Sequence, residues 1–494
     1  MEVEPGLLDI EMKENYTMLF DFYEMTMANG YFNSDYKNTI CYFDVFYRSV
    51  PDKGGYAICC GLESIIDYIQ NLHFTQEDIE YLKNRNCFSS DFLDYLKDFK
   101  FTGDLWAAPE GSIIFPNEPV ITVRANIIEA QLIETYLLLS INYQSLIATK
   151  TKRIVEAAKG NAVMEFGARR AQGESASLLG ARSAYIAGAV GTANAMADIK
   201  YGVPALGTMA HSWVQTFDTE YEAFYTYCKN YPHNATLLVD TYNVVKSGVP
   251  NAIKAFKEVL WPLGIKDCAI RIDSGDITYL SKKARKMLDE AGLYECKICV
   301  SNSLDEYLIK DLLEQGAPID SFGVGERLIT SKSEPVFGGV YKLVAIEKDG
   351  VITPKIKISE NEAKITNPGF KKVYRFYSRE TNKALADLLC LHDEVINQDE
   401  PYTIFDPVQT WKQKELTDFY VKELLAPIFK DGKLVYNKPS LKEIRENCQK
   451  EFDSLWSENT RFSNPNKYYV DLSQKLWDLK NDMLTSYFTN YNKK

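Results

Sequence analysis

The sequence predicts an α/β fold whose central part is an irregular (β/α) barrel. Short apolar runs that end in small or polar residues recur about every 20 to 40 residues, with helical stretches between them. Parallel strands that are buried on both faces give such continuous apolar runs. The runs cover residues 162–167, 203–208, 236–241, 269–275, 297–302, 320–325 and 338–346. A doubly wound open sheet is the alternative, and either fold places a binding site at the carboxyl ends of the strands.

The segments between these runs have helical patterns with recognisable ends. After Gly275, apolar residues repeat with a period of 3.6 as far as Gly292, which is suited to end a helix. Ser303 and Glu306 have the spacing of a capping box, which predicts a helix that continues to about Gln315. We therefore expect strands and helices to alternate, as repeated βα units require.

The regions on either side of the barrel predict separate domains. Ahead of the barrel, apolar helices are mixed with strand-like pieces such as 121–124, which is typical of an α+β domain. From about Lys355 onward the chain becomes lysine-rich and aromatic, with turn signals at 367–369 and 464–465. The predicted division is an N-terminal α+β domain over 1–150, the barrel over 151–354 and a small C-terminal domain over 355–494.

The composition of the 494 residues is that of a globular protein, with 46% apolar and 25% charged residues. Lys and Arg number 56 against 68 Asp and Glu, which gives a net charge of −12. Because a protein this acidic repels nucleic acid, we expect no nucleic-acid partner. A small anionic substrate stays possible, but its pocket needs a local cluster of cations.

Several features predict a cytoplasmic protein that does not enter a membrane. Residues 1–10 lack the basic and apolar regions of a signal peptide. The most apolar stretch, 127–148, is interrupted by Glu129 and Glu134 and is therefore not expected to span a bilayer. The 10 cysteines are irregularly spaced, which predicts reduced thiols rather than a disulfide framework. The lone pair Cys296-x-x-Cys299 lacks the further ligands that a structural zinc site needs.

Charged residues lie at the end of the run 269–275. The alternation of side chains along a strand puts Arg271 and Asp273 on the same side, pointing into the mouth of a barrel. Gly275 permits a tight turn that brings Asp276 back toward Asp273. Two carboxylates beside a guanidinium suit a sugar diol, or Mg²⁺ together with an anionic group. The alternative for Asp276 is that it only caps the following helix.

Other strand ends carry residues that suit an anion. Arg169 and Arg170 directly follow the run 162–167 and would bind phosphate or carboxylate, although a solvated basic loop is the alternative. Glycine turns at the last two runs let backbone N–H groups approach a phosphate. These turns contain Gly323 with Gly325, and Gly338 with Gly339.

His211 and Tyr23 are further candidates. His211 comes shortly after the run 203–208, on the predicted active edge, where it could be a base, a metal ligand or a phosphoryl acceptor. Tyr23 lies in an aromatic helix start, for which core packing is the alternative. The residues alone do not assign metal ligands.

Taken in order, these segments resemble the nicotinate phosphoribosyltransferase family. The resemblance is carried by the motifs DFYEMTMANGY, EFGARRAQG, GTMAHS, LLVDTYN, IRIDSGD, SNSLDE, FGVGERLITS and FGGVYKLVA. It runs from about residue 10 to 350 and continues more thinly through AKITNPGFKKVYRF, from Ala363, and NPNKYYVDLS, from Asn464. No single motif decides it, but the ordered set is specific. The resemblance implies an irregular barrel of the type II phosphoribosyltransferase kind.

The resemblance also implies a reaction. Members of this family form nicotinate mononucleotide from nicotinate and 5-phosphoribosyl-1-pyrophosphate, in the salvage of nicotinate for NAD synthesis. ATP hydrolysis is coupled to the reaction through a phosphohistidine, and Mg²⁺ is required. The resemblance further implies a homodimer with shared active sites.

Finally, the resemblance implies a role for each candidate residue. His211 is the phosphohistidine, and Tyr23, Thr208 and Arg271 contact nicotinate, with Tyr23 contributed by the neighbouring subunit. The implied catalytic residues are His211, Asp273, Asp276 and Arg169. The implied contacts to phosphoribosyl pyrophosphate are Arg169, Arg170, Ser274, Gly275, Gly323, Gly325, Gly338 and Gly339.

One position departs from the family pattern. Many relatives have Gly-x-Gly-Thr where this chain has Gly325-Glu326, so a threonine contact to phosphoribosyl pyrophosphate is missing. Glu326 would repel a phosphate unless it points away or meets the metal. Two alternatives to the implied function are a nicotinamide phosphoribosyltransferase and a non-catalytic pyridine-nucleotide sensor. The sensor should have lost His211 or the charged strand ends, which this chain retains.

Overall fold

The structure is a computed structural model that describes residues 15–361 and 364–491, with side chains through Tyr487. The prediction that 1–10 is no signal peptide lies outside the described residues, as does Ala363, the start of one quoted motif. Within the described ranges, no helix is long and apolar enough to cross a membrane. All 10 cysteines are free, and Cys296 and Cys299 are both buried.

Strands and helices alternate through the middle of the chain, as expected. The strands are β1 (Ile40–Phe46), β2 (Ala57–Ile58), β3 (Asp104–Ala107), β4 (Ile113–Ile114), β5 (Ile121–Asn126), β6 (Ala162–Glu165), β7 (Gly191–Thr192), β8 (Thr236–Leu238), β9 (Ala269–Ile272), β10 (Lys297–Ser301), β11 (Ser321–Val324), β12 (Val340–Lys348), β13 (Val351–Pro354), β14 (Lys371–Ser378), β15 (Ala384–Leu391), β16 (Tyr402–Phe405), β17 (Gln413–Leu416), β18 (Phe419–Glu423), β19 (Ala426–Lys430), β20 (Lys433–Leu434) and β21 (Val470–Leu472).

The α-helices surround these strands. They are α1 (Phe22–Phe32), α2 (Leu62–Gln70), α3 (Gln76–Asn84), α4 (Ser90–Leu96), α5 (Ile127–Leu132), α6 (Glu134–Ala157), α7 (Glu174–Ile186), α8 (Ala195–Tyr201), α9 (His211–Thr216), α10 (Glu220–Asn230), α11 (Val249–Ala255), α12 (Ile277–Glu290), α13 (Glu306–Glu314), α14 (Glu326–Ile329), α15 (Leu441–Asp453), α16 (Ser457–Thr460) and α17 (Gln474–Tyr491).

The central sheet is parallel and has the strand order β7-β6-β11-β10-β9-β8. The first of these strands along the chain, β6, pairs with the last, β11. That neighbour relation is the cyclic order of a barrel, so the structure supports the barrel over the doubly wound alternative. The barrel's apolar cluster includes Val163, Ile270, Ile298 and Phe322, each almost fully buried.

The barrel is irregular because two of its predicted strands differ from expectation. The run 203–208 forms only a single bridge, between Ala205 and Thr192, instead of a strand. Pro204 has no backbone N–H to donate there. In the described residues no hydrogen-bonded ladder joins this bridge to β8, so the barrel stays open at that point.

The last predicted barrel strand lies elsewhere. The run 338–346 was expected to complete the barrel, but β12 pairs antiparallel with β1 in a different sheet. That first sheet has the order β13-β12-β1-β5-β3-β19-β20. Lys342 and Glu347 make β12 less apolar than a strand buried on both faces, and half-exposed strands are typical of antiparallel sheets. The division of the chain at residues 150 and 354 stays a prediction.

The predicted start of one helix, at Ser303, is also wrong. The N-cap of α13 is Asp305, whose carboxylate accepts the Leu308 N–H at 2.9 Å, rather than Ser303. Asn302 and Ser303 both have positive φ, at 90° and 49°. N-cap residues typically have an extended backbone, which the positive φ of Ser303 does not provide.

The C-terminal part contains a smaller sheet, with the order β18-β14-β15-β21. Its helix α15 packs against α7, beside the central sheet, and α17 packs against β15. The expected arrangement of an N-terminal α+β part, a central barrel and a small C-terminal part is therefore confirmed at the level of the fold.

Candidate active site

The site forms where β8, β9 and β10 end side by side. Register places Arg271 of β9 opposite Leu238 of β8 and Cys299 of β10. Because parallel strands present their carboxyl ends at one edge, the residues that follow each strand meet there. This edge contains Arg271 and Asp273, both predicted from the sequence.

Three hydrogen bonds fix the orientation of the Arg271 guanidinium. Its Nε donates to Ser301 Oγ at 2.9 Å, and Nη1 donates to Thr208 Oγ1 at 3.0 Å. Nη2 donates to Asp273 Oδ1 at 2.9 Å. The guanidinium carbon lies 5.7 Å from the centre of the Phe166 ring. A planar fork held in this way is suited to a carboxylate, which it can bind with two parallel bonds.

Asp240 joins the site although sequence reasoning did not assign it a role. Its Oδ2 accepts the Asp273 N–H at 3.1 Å and the Ser274 hydroxyl at 2.5 Å. Its Oδ1 is buried and has no hydrogen-bond partner among the described residues. A buried polar atom without a partner needs an explanation, and a bound ligand or ion is one. The available signal was position, since Asp240 follows β8 just as Asp273 follows β9.

His211 opens α9 beside these carboxylates. Its Nδ1 lies 3.1 Å from Thr241 Oγ1, and its Nε2 lies 3.8 Å from Asp273 Oδ2. The His211 side chain is 41% exposed and can therefore be reached by a bound molecule. The structure therefore brings His211, Asp273, Arg271 and Thr208 together, as the sequence predicts.

Arg169 and Arg170, the predicted phosphate contacts, form no direct contact with Arg271, Asp273 or His211 among the described interactions. Arg169 and Arg170 lie in a short 3₁₀ turn, Ala168–Arg170, directly after β6. Both are exposed, and neither forms an ion pair with another described residue. Arg170 also lies near enough to Glu326 to help lower the pKa of that carboxyl group. Two exposed cations without a close ion pair at a strand end can bind an anionic group.

The glycine turns have mixed roles. A Cβ at Gly323 would lie 2.6 Å from the Phe166 ring, so this glycine makes room for the ring beside Arg271. Gly325 is the N-cap of α14. Gly338 has a φ of 76°, and the Gly339 N–H donates to Asn142 Oδ1 of α6 at 2.8 Å. Steric demand within the chain accounts for Gly323 without any phosphate.

Glu326, the departure from the family pattern, is paired within its own loop. The Lys332 ammonium lies 2.6 Å from Glu326 Oε1 and holds the pKa of Glu326 below its ordinary value. Its negative charge is therefore partly offset where a phosphate would approach.

Two other candidates have contacts that fit their alternatives. Asp276 caps α12, because its Oδ1 accepts the Tyr279 N–H at 2.9 Å after a turn at Gly275, where φ is 81°. Tyr23 lies on α1 and is 46% exposed. Burial of its hydroxyl and the nearby carboxylate of Glu134 raise the pKa of Tyr23. No contact in the described part of the chain joins Tyr23 to Arg271, and the roles predicted for Asp276 and Tyr23 stay predictions.

Metal-ligating residues are sparse. Within residues 15–361 and 364–491 there is no cluster of three or more His, Cys, Asp or Glu that could hold a metal ion. The Asp240 and Asp273 carboxylates are the acidic pair at the site. Mg²⁺ is commonly bound by one or two carboxylates together with substrate phosphates, so this donor set suits it.

Comparison with known proteins follows the same segments. Family models match residues 18–142 (nicotinate phosphoribosyltransferase N-terminal domain), 161–375 (nicotinate phosphoribosyltransferase family) and 370–480 (nicotinate phosphoribosyltransferase C-terminal domain). The chain is 44% identical over 460 residues to a nicotinate phosphoribosyltransferase of Bacillus subtilis, covering 93% of each chain. The chain belongs to the nicotinate phosphoribosyltransferase family.

Other members of the nicotinate phosphoribosyltransferase family agree with this assignment. A Mycobacterium tuberculosis member is 39% identical over 436 residues, which cover 88% of this chain and 86% of that protein. The crystal structure of the human enzyme superposes with a TM-score of 0.81 at 27% identity, covering 94% of this chain and all of that one. A nicotinate-nucleotide pyrophosphorylase from Pyrococcus furiosus, at 23% identity and a TM-score of 0.68, shares the fold.

Proposed function

We propose that this chain forms nicotinate mononucleotide from nicotinate and 5-phosphoribosyl-1-pyrophosphate, in the salvage of nicotinate for NAD synthesis. The observation that supports it most is the Arg271 guanidinium, held by Thr208, Asp273 and Ser301 at the strand ends. Membership of the family gives the reaction class. The fixed guanidinium favours the acid over the amide, because only the acid supplies a carboxylate.

Nicotinate would bind with its carboxylate at Arg271. The Phe166 ring beside the guanidinium offers a flat apolar face for the pyridine, and Thr208 supplies a hydroxyl next to Nη1. This placement turns the pyridine nitrogen away from the guanidinium and toward the ribose. No side-chain nucleophile is needed, since the nitrogen itself attacks the anomeric carbon.

Phosphoribosyl pyrophosphate would bind between the arginine turn and the two carboxylates. Arg169 and Arg170 supply positive charge for its phosphates. As pyrophosphate leaves with the bonding electron pair, positive charge develops on the ribose, which Asp273 can stabilise. Two hydrogen bonds orient Asp273 for this role. Arg271 donates to the Asp273 carboxylate, and the Asp273 N–H donates to Asp240.

Mg²⁺ and ATP belong to the proposal as cofactor and co-substrate. Asp240 and Asp273 would hold Mg²⁺, because Mg²⁺ is commonly bound by one or two carboxylates. Asp240 Oδ1 is buried with no partner among the described residues, so it has a free position for the ion. When bound, the ion would offset the charge of the pyrophosphate. His211 would carry the phosphoryl group from ATP, since its side chain is 41% exposed and its Nδ1 is engaged by Thr241, which leaves Nε2 as the acceptor.

The proposal also includes the assembly and its place in the cell. Tyr23 would complete the pyridine pocket of a second copy of the chain. Two observations support this: Tyr23 is exposed, and no contact among the described residues joins it to Arg271 of its own chain. The expected compartment is the cytoplasm, and the free cysteines are consistent with it. Asp276, Ser274, Gly275 and the glycine turns would contribute contacts to phosphoribosyl pyrophosphate.

A coupled assay of the purified chain tests the function. Nicotinate and nicotinamide are supplied side by side with phosphoribosyl pyrophosphate and Mg²⁺, with and without ATP, and the mononucleotides are separated and quantified. We expect nicotinate mononucleotide to form, faster with ATP. Turnover of nicotinamide alone would assign the chain to the nicotinamide reaction, and binding without turnover of either would support the sensor.

A further inference from the structure

A buried carboxyl group lies directly below the arginine turn, and the mechanism above does not use it. Glu165 is the last residue of β6 and is fully buried. None of the ion pairs among the described residues involves it, so no cation compensates its charge. Burial raises the pKa of Glu165, while hydrogen bonds from Thr192 and Gly167 act in the opposite direction. Burying a carboxyl group without a cation is costly, so the contacts that it makes are informative.

The two carboxylate oxygens of Glu165 reach two different loops. Oε1 accepts the N–H of Gly167, the residue directly before the turn Ala168–Arg170. Oε2 accepts the Thr192 hydroxyl at 2.6 Å. Thr192 and Gly167 are also buried, so both bonds are shielded from bulk solvent. One side chain therefore ties the arginine turn to the end of β7.

The end of β7 is in turn joined to the loop that leads to Thr208 and His211. The Thr192 N–H donates to Pro204 O at 3.0 Å, and the Leu206 N–H donates to Thr192 O at 2.7 Å. Thr208 follows two residues after Leu206. The chain of contacts thus runs from the arginine turn, through Glu165 and Thr192, to the loop that holds Arg271.

Space around Gly167 leaves the turn little freedom. A Cβ at Gly167 would lie 2.6 Å from the Ile329 side chain and 2.7 Å from Glu165 Oε1. The turn is therefore enclosed between α14 on one side and the Glu165 carboxylate on the other. Loss of the carboxylate would open this space on one side only and let the turn shift toward it.

We propose that Glu165 is a positioning residue that holds the Arg169–Arg170 turn in register with the nicotinate loop for binding of phosphoribosyl pyrophosphate. The inference rests on the proposed function for its substrate. It acts through the Gly167 N–H rather than by contact with the substrate. Displacement of a substrate-positioning group by about 1 Å can lower the catalytic rate by a factor of about 100.

The test compares Glu165 with Glu129, a matched control in the N-terminal region. Glu129 is 5% exposed, burial raises its pKa, and its oxygens accept the N–H and hydroxyl of Thr102, both at 2.7 Å. KM values are the readout, because a smaller fraction of folded enzyme lowers the rate without changing KM. We expect Glu165→Ala to raise the KM for phosphoribosyl pyrophosphate about tenfold or more, and Glu129→Ala to leave it within about twofold.

Two further variants keep the test decisive if Glu165→Ala does not fold. Glu165→Gln retains an oxygen for the Gly167 N–H and should restore most of the affinity. Thr192→Val removes one of the two bonds at nearly constant volume and should raise the KM by about threefold. Unchanged KM values in Thr192→Val and Glu165→Ala, or an equal rise in Glu129→Ala, would overturn the proposal.

Hydrogen exchange separates this inference from the proposed function. Without any substrate, the Gly167 amide should exchange faster in Glu165→Ala than in the wild-type chain, and equally fast in Glu129→Ala and the wild type. If the wild type fails to use phosphoribosyl pyrophosphate, the function is wrong while this measurement still decides the contact. An unchanged Gly167 exchange rate contradicts the positioning role.

Discussion

Cationic side chains in the flanking sheets form close ion pairs, whereas some of those at the carboxyl edge of the central sheet do not. In the flanking sheets, the buried Lys371 ammonium lies 2.9 Å from Asp44 Oδ2, and Arg375 lies 2.6 Å from Asp387 Oδ2. At the central edge, Arg169 and Arg170 form no such ion pair with a described residue. A cation that is matched within the chain stabilises the fold, whereas an unmatched one at a strand end is available to a ligand.

Asp240 extends this comparison to the carboxylates. One of its oxygens accepts two hydrogen bonds from the turn after β9, while the other is buried with no partner in the described ranges, as is Glu118 Oε2 in the flanking part. Asp387, by contrast, accepts from Arg375 with both oxygens. Pairing together with full burial thus marks the residues that hold the fold, because the Arg271–Asp273 pair at the site is only partly buried.

The largest effect is expected from breaking a matched pair. Arg375→Met leaves the Asp387 carboxylate buried without its cation, which should lower the free energy of unfolding by about 3–5 kcal/mol. Thermal and denaturant unfolding measure this loss, and the KM for nicotinate of the remaining folded protein should stay unchanged. Arg379→Met is the control, because its weak surface pair with Asp418 should contribute about 1 kcal/mol or less. A raised KM for nicotinate in Arg375→Met would show that this buried pair also supports the substrate site.

The second effect is expected at the ligand-facing arginine. Arg271→Lys keeps the charge but loses the planar fork, so kcat/KM with nicotinate should fall by about 2–4 kcal/mol of transition-state stabilisation. The KM for phosphoribosyl pyrophosphate should change much less, and the unfolding temperature should fall little. Steady-state kinetics with each substrate varied in turn measures both values. If the KM for nicotinate is unchanged, the carboxylate contact moves to Arg169 or Arg170.

The third prediction concerns coupling to ATP. His211→Asn removes the phosphoryl acceptor but leaves Arg271 and Asp273, so slow, ATP-independent synthesis of nicotinate mononucleotide should remain. ATPase activity and acid-labile labelling from radioactive ATP should disappear, because asparagine has no imidazole nitrogen to accept the phosphoryl group. The variant also lacks the roughly two negative charges that this group adds. His233→Asn is the control and should keep the label. A His211→Asn protein that is still labelled would return His211 to a structural role.

Tyr23 lies in the N-terminal part, and we expect it to serve the active site of a second copy of the chain. Tyr23→Ala and His211→Ala variants should each be nearly inactive. Mixing them should restore up to about a quarter of native activity, because random pairing gives mixed dimers with one intact site. Subunit exchange is followed directly with a mass label. Exchange without recovery of activity would place Tyr23 in its own subunit's structure.

The smallest effect is expected from a buried carboxyl in the C-terminal sheet. Burial, and then the Asp406 charge, raises the pKa of Asp471 to about 7. The unfolded group ionises near pH 4. The free energy of unfolding therefore falls as the pH rises from about 4 to about 7, and it stays at the lower value above pH 7. Asp471→Asn should therefore raise the unfolding temperature by a few degrees at pH 8 and by less at pH 5. Asp482→Asn, on exposed α17 surface, should show the wild-type pH dependence.

Much of the central fold could be predicted because the parallel strands are largely shielded from solvent and therefore form short apolar runs. The apolar runs at 162–167, 269–275, 297–302 and 320–325 all contain strands of the central sheet. The pairing of β12 with β1 could not be predicted, because it joins segments about 300 residues apart and the same run suits either sheet. Ser303 failed as a cap because positive φ at that position is not visible in the sequence.

The candidate site was predictable where residue type and strand position coincide. Arg271, Asp273, Thr208 and His211 follow apolar runs and lie together in the structure. Asp240 and Ser301 were missed because their roles depend on the register of neighbouring strands. The same alternation that identified Asp273 applies to Asp240, so its position was the usable signal.

A crystal structure of the chain with nicotinate mononucleotide and pyrophosphate tests most directly whether the nicotinate carboxylate binds at Arg271. We expect the nicotinate carboxylate within about 3.2 Å of the Arg271 guanidinium nitrogens, the usual limit of a hydrogen bond. Asp273 should lie beside the ribose, and Arg169 and Arg170 should contact phosphate groups. A carboxylate bound at Arg169 or Arg170, or a product bound against the flanking sheets, would contradict the account.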